Sequence, residues 1–274
     1  MQAVQQDRSL DLEIRNQAVN IYYRGGSLYR IEPRRRGYKV TFDEKYFLQE
    51  HAPLTGLGYA EWLARMPELK LAMEGWQAAK NRNLERILQQ EITRVNNDQL
   101  HSEYRIVDIE YVEYVKAADS EKNRRIRFDM MAVKLSGEGA PCLSIMELKV
   151  GKGSIGGSAG IGKHLEDEQL FLQHTKDREE LLKEMEKLYA QKRKLGLIAG
   201  PGETVCLDRN RIEFVFLLAD GNAKSKVLPR EREKILASEA YRALCGACDV
   251  RECALDTEEV VLRAGSMMKL RVQA

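Results

Sequence analysis

Three consecutive strand-like segments constrain the fold of this chain most. They span residues 104–116, 126–135 and 142–150, and their apolar, β-branched and alternating residues are typical of strands. A turn with glycine and proline at 137–141 separates the last two segments. A fourth segment at 211–219, RIEFVFLLA, is strongly apolar and is predicted to be a strand buried on both faces.

Helical patterns surround these strands. From about residue 68 to 97, apolar residues recur at spacings of three and four, as in a helix. A long charged helix is predicted over about 164–194, and a final helix with a short strand or helix over 230–272. The order helix, three strands, helix, strand predicts an α/β fold with a mixed sheet flanked by helices.

The N-terminal part has a different pattern. Residues 19–48 alternate apolar and polar side chains, and Gly25-Gly26 is typical of a hairpin turn. Pro53 and the glycines at 56 and 58 mark a break. A chain of 274 residues fits one large or two small domains. We therefore predict a β-rich accessory region at 1–66 and a larger domain at 67–274.

Composition excludes several classes of protein. The chain is 43% hydrophobic and 31% charged, and it has no apolar run long enough for a membrane helix and no signal peptide. We therefore expect a cytoplasmic protein without membrane contact. The net charge of +2 does not by itself indicate a nucleic-acid binder, although three local basic clusters could meet phosphates. These clusters are Arg34-Arg35-Arg36, Arg124-Arg125 with Arg127, and Lys192-Arg193-Lys194.

The residues that carry chemistry lie in two neighbouring strand-like segments. Glu147 and Lys149 are two residues apart in an apolar strand, so they share a face. Buried charges are costly unless they are paired or bound to a metal. Asp129 is the single acidic residue of the preceding strand, and it can lie beside Glu147 if the two strands form a hairpin. Two neighbouring carboxylates repel each other, and a divalent cation removes that repulsion.

This arrangement predicts metal-assisted hydrolysis. Oxygen ligands with water suit Mg²⁺ or Mn²⁺, so we expect Asp129 and Glu147 to bind one of these ions. Such an ion draws charge from a phosphate oxygen and lowers the pKa of a bound water. Lys149 is expected to orient that water and to stabilise the developing negative charge. The predicted reaction is the cleavage of a phosphodiester, with Asp129, Glu147 and Lys149 as catalytic residues.

The spacing of the three residues resembles the motif of the PD-(D/E)XK nuclease superfamily: Asp129 is followed, after seventeen residues, by Glu147-x-Lys149. The segments RIRFDMMAVK and LSIMELKVG are similar to its second and third core strands, and the resemblance covers about residues 77–220. It implies a restriction-endonuclease-like core and a metal-dependent nuclease. The family's proline before the aspartate is absent here, because Phe128 stands at that position.

The resemblance also implies residues outside the strands. The family often places a glutamate of the first core helix at the metal; Glu85 and Glu91 are both candidates, and Glu85 is preferred. Downstream helices of the family often contact phosphate, which makes His164 and Gln169 candidate substrate ligands. Lys152 lies in the glycine-rich loop that follows the third strand, and we expect it to contact the substrate backbone as well.

Two other signals suggest different chemistry. The segment from Gly157 to His164 nearly matches a phosphate-binding P-loop, but a histidine replaces the Ser or Thr that would bind Mg²⁺. Cys245-x-x-Cys248 with Cys253 has the spacing of metal ligands, and Cys142 or, better, Cys206 could complete the set. Free thiols are the alternative, since five unevenly spread cysteines do not suggest a disulfide framework.

The leading functional prediction is a metal-dependent nuclease that acts on nucleic acid, with DNA preferred to RNA. The N-terminal β element is expected to bind substrate, a partner or a second subunit, so a homodimer is among the expected states. The first alternative is a catalytically silent nuclease-fold module that binds nucleic acid or assembles with partners. The second is a nucleotide-binding protein that uses the glycine-rich loop.

Overall fold

The computed structural model of the chain describes twelve stretches of residues, which carry all the observations below. They are 2–15, 17–80, 84–116, 123–135, 139–151, 154–157, 160–174, 178–200, 202–219, 224–245, 248–256 and 258–270. Within them, no helix is long and apolar enough to cross a membrane.

The chain forms two compact units, residues 1–90 and 91–274. The division falls within one helix, Leu84–Asp98 (α3). The boundary predicted at 66/67 falls within the helix Tyr59–Lys80 (α2). Helix α2 contains Pro67 in its interior. Its start is capped by a hydrogen bond of 2.6 Å from the Gly58 N–H to the Glu61 carboxylate.

The N-terminal unit contains the predicted β element as a four-stranded antiparallel sheet. Two positive φ angles, 47° at Arg24 and 73° at Gly25, form the turn between the second and third strands. A side chain at Gly25 would come within 2.4 Å of Arg86 Cβ, so the turn also requires glycine for space. The elements are Gln2–Gln6 (α1), Leu10–Arg15 (β1), Ala18–Tyr23 (β2), Gly26–Pro33 (β3), Tyr38–Thr41 (β4), the 3₁₀ turn Glu44–Tyr46, and α2.

The C-terminal unit is built on a six-stranded mixed sheet, which confirms the α/β class. Its strands are Tyr104–Lys116 (β5), Asn123–Lys134 (β6), Cys142–Lys149 (β7), Ile212–Leu218 (β8), Asp249–Ala254 (β9) and Met268–Lys269 (β10), in the spatial order β10-β9-β8-β7-β6-β5. The first three strands pair antiparallel, whereas β8 is parallel to β7 and β9 is parallel to β8. The three predicted strands are thus neighbours in the sheet.

Each of the two long predicted helices corresponds to two helices among the described residues. The helix predicted over 68–97 is α2 and α3, and the one predicted over 164–194 consists of Ile161–His174 (α4) and Arg178–Lys194 (α5). Residues 81–83 and 175–177, which separate the two members of each pair, lie outside the described residues. Beyond β8, Leu228–Ala237 (α6) and Glu239–Cys245 (α7) precede β9, and a 3₁₀ turn at Ala264–Ser266 precedes β10.

The centre of the sheet is fully buried. Every residue of β7 and of β8 is buried, as predicted for the apolar segment at 211–219. At the edge, the buried Arg105 guanidinium fixes β5 to its surroundings by donating hydrogen bonds of 2.7–3.0 Å to four backbone carbonyls. Polar side chains in such a core need partners, because an unpaired buried polar group costs about 1–3 kcal/mol. Glu147 and Glu168 are among the described residues that have buried oxygens without such a partner.

Candidate functional site

Strands β6 and β7 separate at one point of the sheet. Their pairing runs from Lys134 opposite Cys142 to Met130 opposite Met146, and stops there. Beyond this point β6 pairs with β5 alone, while β7 continues beside β8 as far as Lys149 opposite Leu218. The separation opens a gap between two strands of an otherwise continuous sheet.

Asp129 stands at this separation. It is the first residue of β6 beyond the paired stretch, and extending the register by one residue sets it opposite Glu147. Its Oδ2 accepts a hydrogen bond of 2.9 Å from the Leu148 N–H, so the side chain takes the place of a strand partner. The sequence predicted that Asp129 lies beside Glu147, and the strand register, extended by this one residue, gives the same arrangement.

Glu147 and Lys149 form a buried ion pair across the same opening. Lys149 Nζ lies 2.9 Å from Glu147 Oε1, and both side chains are buried. The burial of a charged pair in an apolar strand is rarely favoured by stability alone. Desolvation strengthens the electrostatic effect that such a pair exerts on a neighbouring group.

Helix α4 brings His164 to the same carboxylate. His164 Nε2 lies 3.0 Å from Glu147 Oε1. Burial raises the pKa of Glu147, but the hydrogen bonds and charges of His164 and Lys149 outweigh it and hold that pKa below 4.5. The second oxygen, Glu147 Oε2, is buried and has no hydrogen-bond partner among the described residues. Glu147 is therefore an ionised carboxylate with one oxygen free to accept a ligand.

A second buried carboxylate, Glu168, lies near Glu147 and was not predicted from the sequence. Glu168 is fully buried, and neither of its carboxylate oxygens has a hydrogen-bond partner in the described part of the chain. Burial raises its pKa well above 4.5, and the negative charges of Glu147 and Asp167 raise it further. The signal available in the sequence is the spacing of His164, Asp167 and Glu168, since positions i, i+3 and i+4 share a helix face.

Asp167 connects α4 to β6. Its carboxylate pairs with Arg124 and lies 3.3 Å from Lys163 Nζ. Burial raises the pKa of Asp167, and the charge of Arg124 opposes that rise. Arg124 and Lys163 thus pair with Asp167, whereas the carboxyl oxygens of the neighbouring Glu168 have no hydrogen-bond partner among the described residues.

The backbone opposite Asp129 adopts an uncommon conformation. Glu110 has a φ of 54°, a left-handed value that costs a non-glycine residue about 1–2 kcal/mol. The register of β5 and β6 places Glu110 opposite Asp129, between the pairs Ile109–Met130 and Tyr111–Phe128. Backbone strain of this kind is found at functional sites more often than elsewhere.

The other predicted site residues are Lys152, Gln169, Glu91 and Glu85. Lys152 lies outside the described residues. Gln169 is half-buried and forms no hydrogen bond with the other described side chains of the site. Glu91 pairs with Arg94 on α3. Glu85, the preferred helix carboxylate, belongs to the N-terminal unit, and its predicted role at the metal stays a prediction.

The glycine-rich loop folds back on itself. The Ile161 N–H donates to the Ile155 carbonyl at 2.9 Å, and a side chain at Gly160 would come within 2.5 Å of that carbonyl oxygen. Lys163, at the position of the P-loop lysine, pairs with Glu166 at 3.1 Å and with Asp167. Residues 158 and 159 of the predicted loop lie outside the described residues.

The cysteines are free thiols. Cys206 and Cys245 are exposed, whereas Cys142, Cys248 and Cys253 are buried. Burial raises the pKa of the Cys253 thiol to about 11, which opposes the thiolate form that binds metals. Across the described ranges, no group of three or more His, Cys, Asp or Glu side chains is arranged to hold a metal ion.

No protein-family model matches the chain, and no curated protein or solved structure is significantly similar to it. Similarity therefore shows no family for this chain, and the chemistry of the site follows from its own side chains.

Proposed function

We propose that this chain is a divalent-metal-dependent nuclease of the PD-(D/E)XK type, which hydrolyses phosphodiester bonds in nucleic acid and DNA in particular. One observation carries the proposal: Asp129, Glu147 and Lys149 come together where β6 and β7 separate. A carboxylate pair with a neighbouring ammonium can hold a cation and stabilise negative charge on a phosphate.

The order of elements supports this proposal. Helix α3 precedes the antiparallel strands β5, β6 and β7, and helices α4 and α5 lead to β8, which is parallel to β7. This is the order helix, three strands, helix, strand that the resemblance to the superfamily implies. Fold alone does not determine function, so the proposal rests mainly on the side chains at the opening.

The donor atoms at the opening fit Mg²⁺ or Mn²⁺. Mg²⁺ keeps several waters and is commonly held by one or two carboxylates, so it does not require a group of three protein ligands. The buried oxygen Glu147 Oε2 and both oxygens of Glu168 lack partners among the residues described, and their charges repel. Asp129 and Glu147 would hold the ion, and Glu168 would supply the next carboxylate. When bound, the ion would draw charge from a phosphate oxygen and lower the pKa of a water.

The side chains of the chain itself perform the remaining tasks. Lys149 is buried beside Glu147, where its ammonium can donate hydrogen bonds to a phosphate oxygen or to the attacking water. His164 contacts the same Glu147 oxygen and keeps that carboxylate in one orientation. The burial of Glu147 and Lys149 strengthens each of these interactions.

A cleavage assay tests the proposal. Pure protein is incubated with plasmid, single-stranded oligonucleotides and duplex oligonucleotides, each with Mg²⁺, with Mn²⁺ and with a chelator. We expect cleavage with either metal and none with the chelator, since the carboxylates alone do not activate water. If none of the substrates were cleaved with either metal, the proposal would be overturned.

One observation favours a second function, a nucleic-acid-binding module without catalysis. Both Lys149 and His164 engage Glu147 Oε1, which leaves a single oxygen of Glu147 for a cation. The same substrates separate the two functions. Binding of nucleic acid without cleavage under any metal condition would indicate the silent module.

A further inference from the structure

Beyond the point where β7 separates, β5 and β6 continue as a two-stranded ribbon. We use the name ribbon for residues 111–116 and 123–128, whose pairing runs from Tyr111 opposite Phe128 to Lys116 opposite Asn123. One side of the ribbon packs on α4. The rings of Phe128 and Phe171 are 5.0 Å apart, and Tyr111 contacts Phe171 at 6.4 Å. Ile126 and Val115 are buried on this packed side.

The opposite side of the ribbon is open. Tyr114 is 60% exposed, and its cross-strand partner Arg125 is exposed as well. Arg125 has no hydrogen bond or ion pair with the described residues. Arg127, the next residue on this side, pairs with Glu110 at 3.2 Å. The open side therefore presents an aromatic ring, one uncompensated guanidinium and a second guanidinium that shares its charge with Glu110.

The open side leads to the candidate site. Alternate residues of a strand share a side, so Arg125 and Arg127 lie on the open side of β6. The next residue of this series is the buried Asp129, whose carboxylate accepts a hydrogen bond from the Leu148 N–H at the separation of β6 and β7. Four residues of a strand span about 13 Å, which is the axial length of about four nucleotides of one DNA strand. A nucleic-acid strand that lies along the ribbon would thus reach Asp129 within a few nucleotides.

We infer that the open side of the ribbon binds a single strand of nucleic acid, with a base stacked on Tyr114 and phosphates against Arg125 and Arg127, and directs it to Asp129. This inference rests on the proposed nuclease function and adds the substrate class. A single strand is favoured because an exposed ring can stack only on a base whose face is open, whereas bases in a duplex are covered by their neighbours. The single uncompensated arginine also fits one phosphate backbone better than two.

Binding measured without metal separates this inference from catalysis. Fluorescence anisotropy of labelled single-stranded DNA, single-stranded RNA and duplex DNA is recorded in a chelator, which prevents cleavage. We expect single strands to bind more tightly than the duplex. Tyr114→Ala and Tyr114→Leu are both expected to weaken single-strand binding about tenfold or more, because stacking on the ring is lost. Tyr59→Ala, which removes another exposed ring (75% exposed), is the matched control.

The salt dependence of binding tests the arginine. Arg125→Ala is expected to reduce the slope of log K against log salt concentration by about 0.7, the value for one phosphate contact on a single strand. Arg230→Ala removes an exposed arginine of α6 and is expected to leave the slope unchanged. Wild-type affinity in both Tyr114 variants, or tighter binding to the duplex, would overturn the inference. Loss of single-strand binding in these variants would support the inference. A wild type that bound single strands but cleaved none of the substrates would refute only the nuclease function.

Discussion

Lys149→Met is expected to lower the rate of metal-dependent cleavage by about 10²–10³-fold while the protein stays folded. The variant keeps the length and apolar stem of the side chain, and it removes the ammonium that lies 2.9 Å from Glu147. Glu147 retains His164 as a partner at 3.0 Å, so the fold loses only one of two contacts to that carboxylate. Initial rates on a labelled oligonucleotide, normalised to folded protein, measure the effect.

The same sheet offers a matched control for Lys149. Lys134 is also buried, and its Nζ lies 2.9 Å from Glu213 Oε2, away from the separation of the strands. Lys134→Met removes an equivalent buried ion pair, so it is expected to lower stability without lowering the rate per folded molecule. A Lys149→Met protein that cleaves at the wild-type rate would remove Lys149 from the mechanism.

Glu168→Gln is expected to stabilise the metal-free protein by about 1–3 kcal/mol near neutral pH, because it replaces a buried carboxyl whose ionisation is unfavourable in the folded state. The pKa of Glu168 is raised in the folded state, so its burial lowers stability at pH values above the usual 4.5. Below that pH the carboxyl is protonated in the folded and the unfolded states. The stabilisation should therefore be present at pH 7 and disappear near pH 4, in thermal unfolding followed by circular dichroism.

Mg²⁺ is expected to reduce the stability advantage that Glu168→Gln has over the wild type. Added Mg²⁺ stabilises the folded form by an amount that increases with its affinity, so it is expected to raise the melting temperature of the wild type more than that of Glu168→Gln. Glu166→Gln, a change at an exposed neighbour on α4, is the matched control and should behave like the wild type. A Glu168→Gln protein that is less stable than the wild type at pH 7 would show that this carboxylate has a stabilising partner.

The strands of the C-terminal unit could be predicted closely from the sequence, because alternation is a local property. The bounds of β5 match the prediction, and those of β6, β7 and β8 differ by one to three residues. The end of the chain was predicted less well. Strand β9 contains Glu252, whose buried pairing with Arg232 at 2.9 Å is a tertiary contact that a strand pattern does not reveal.

The candidate site could be predicted as far as its residues share one strand or neighbouring strands. Glu147 and Lys149 follow from a spacing of two, and Asp129 follows from the hairpin. Glu168 was missed because an acidic residue on a charged helix looks exposed, and only the packing of α4 places it in the interior.

The most direct test is the location of a bound metal. Crystals of the protein grown with Mn²⁺ and measured at the manganese absorption edge give an anomalous map that identifies the ion without reference to activity. The expected result is a peak in contact with the carboxylates of both Asp129 and Glu147, which weakens or vanishes in Glu147→Gln. A map of the wild type at saturating Mn²⁺ without density between these two carboxylates would contradict the shared-cation site.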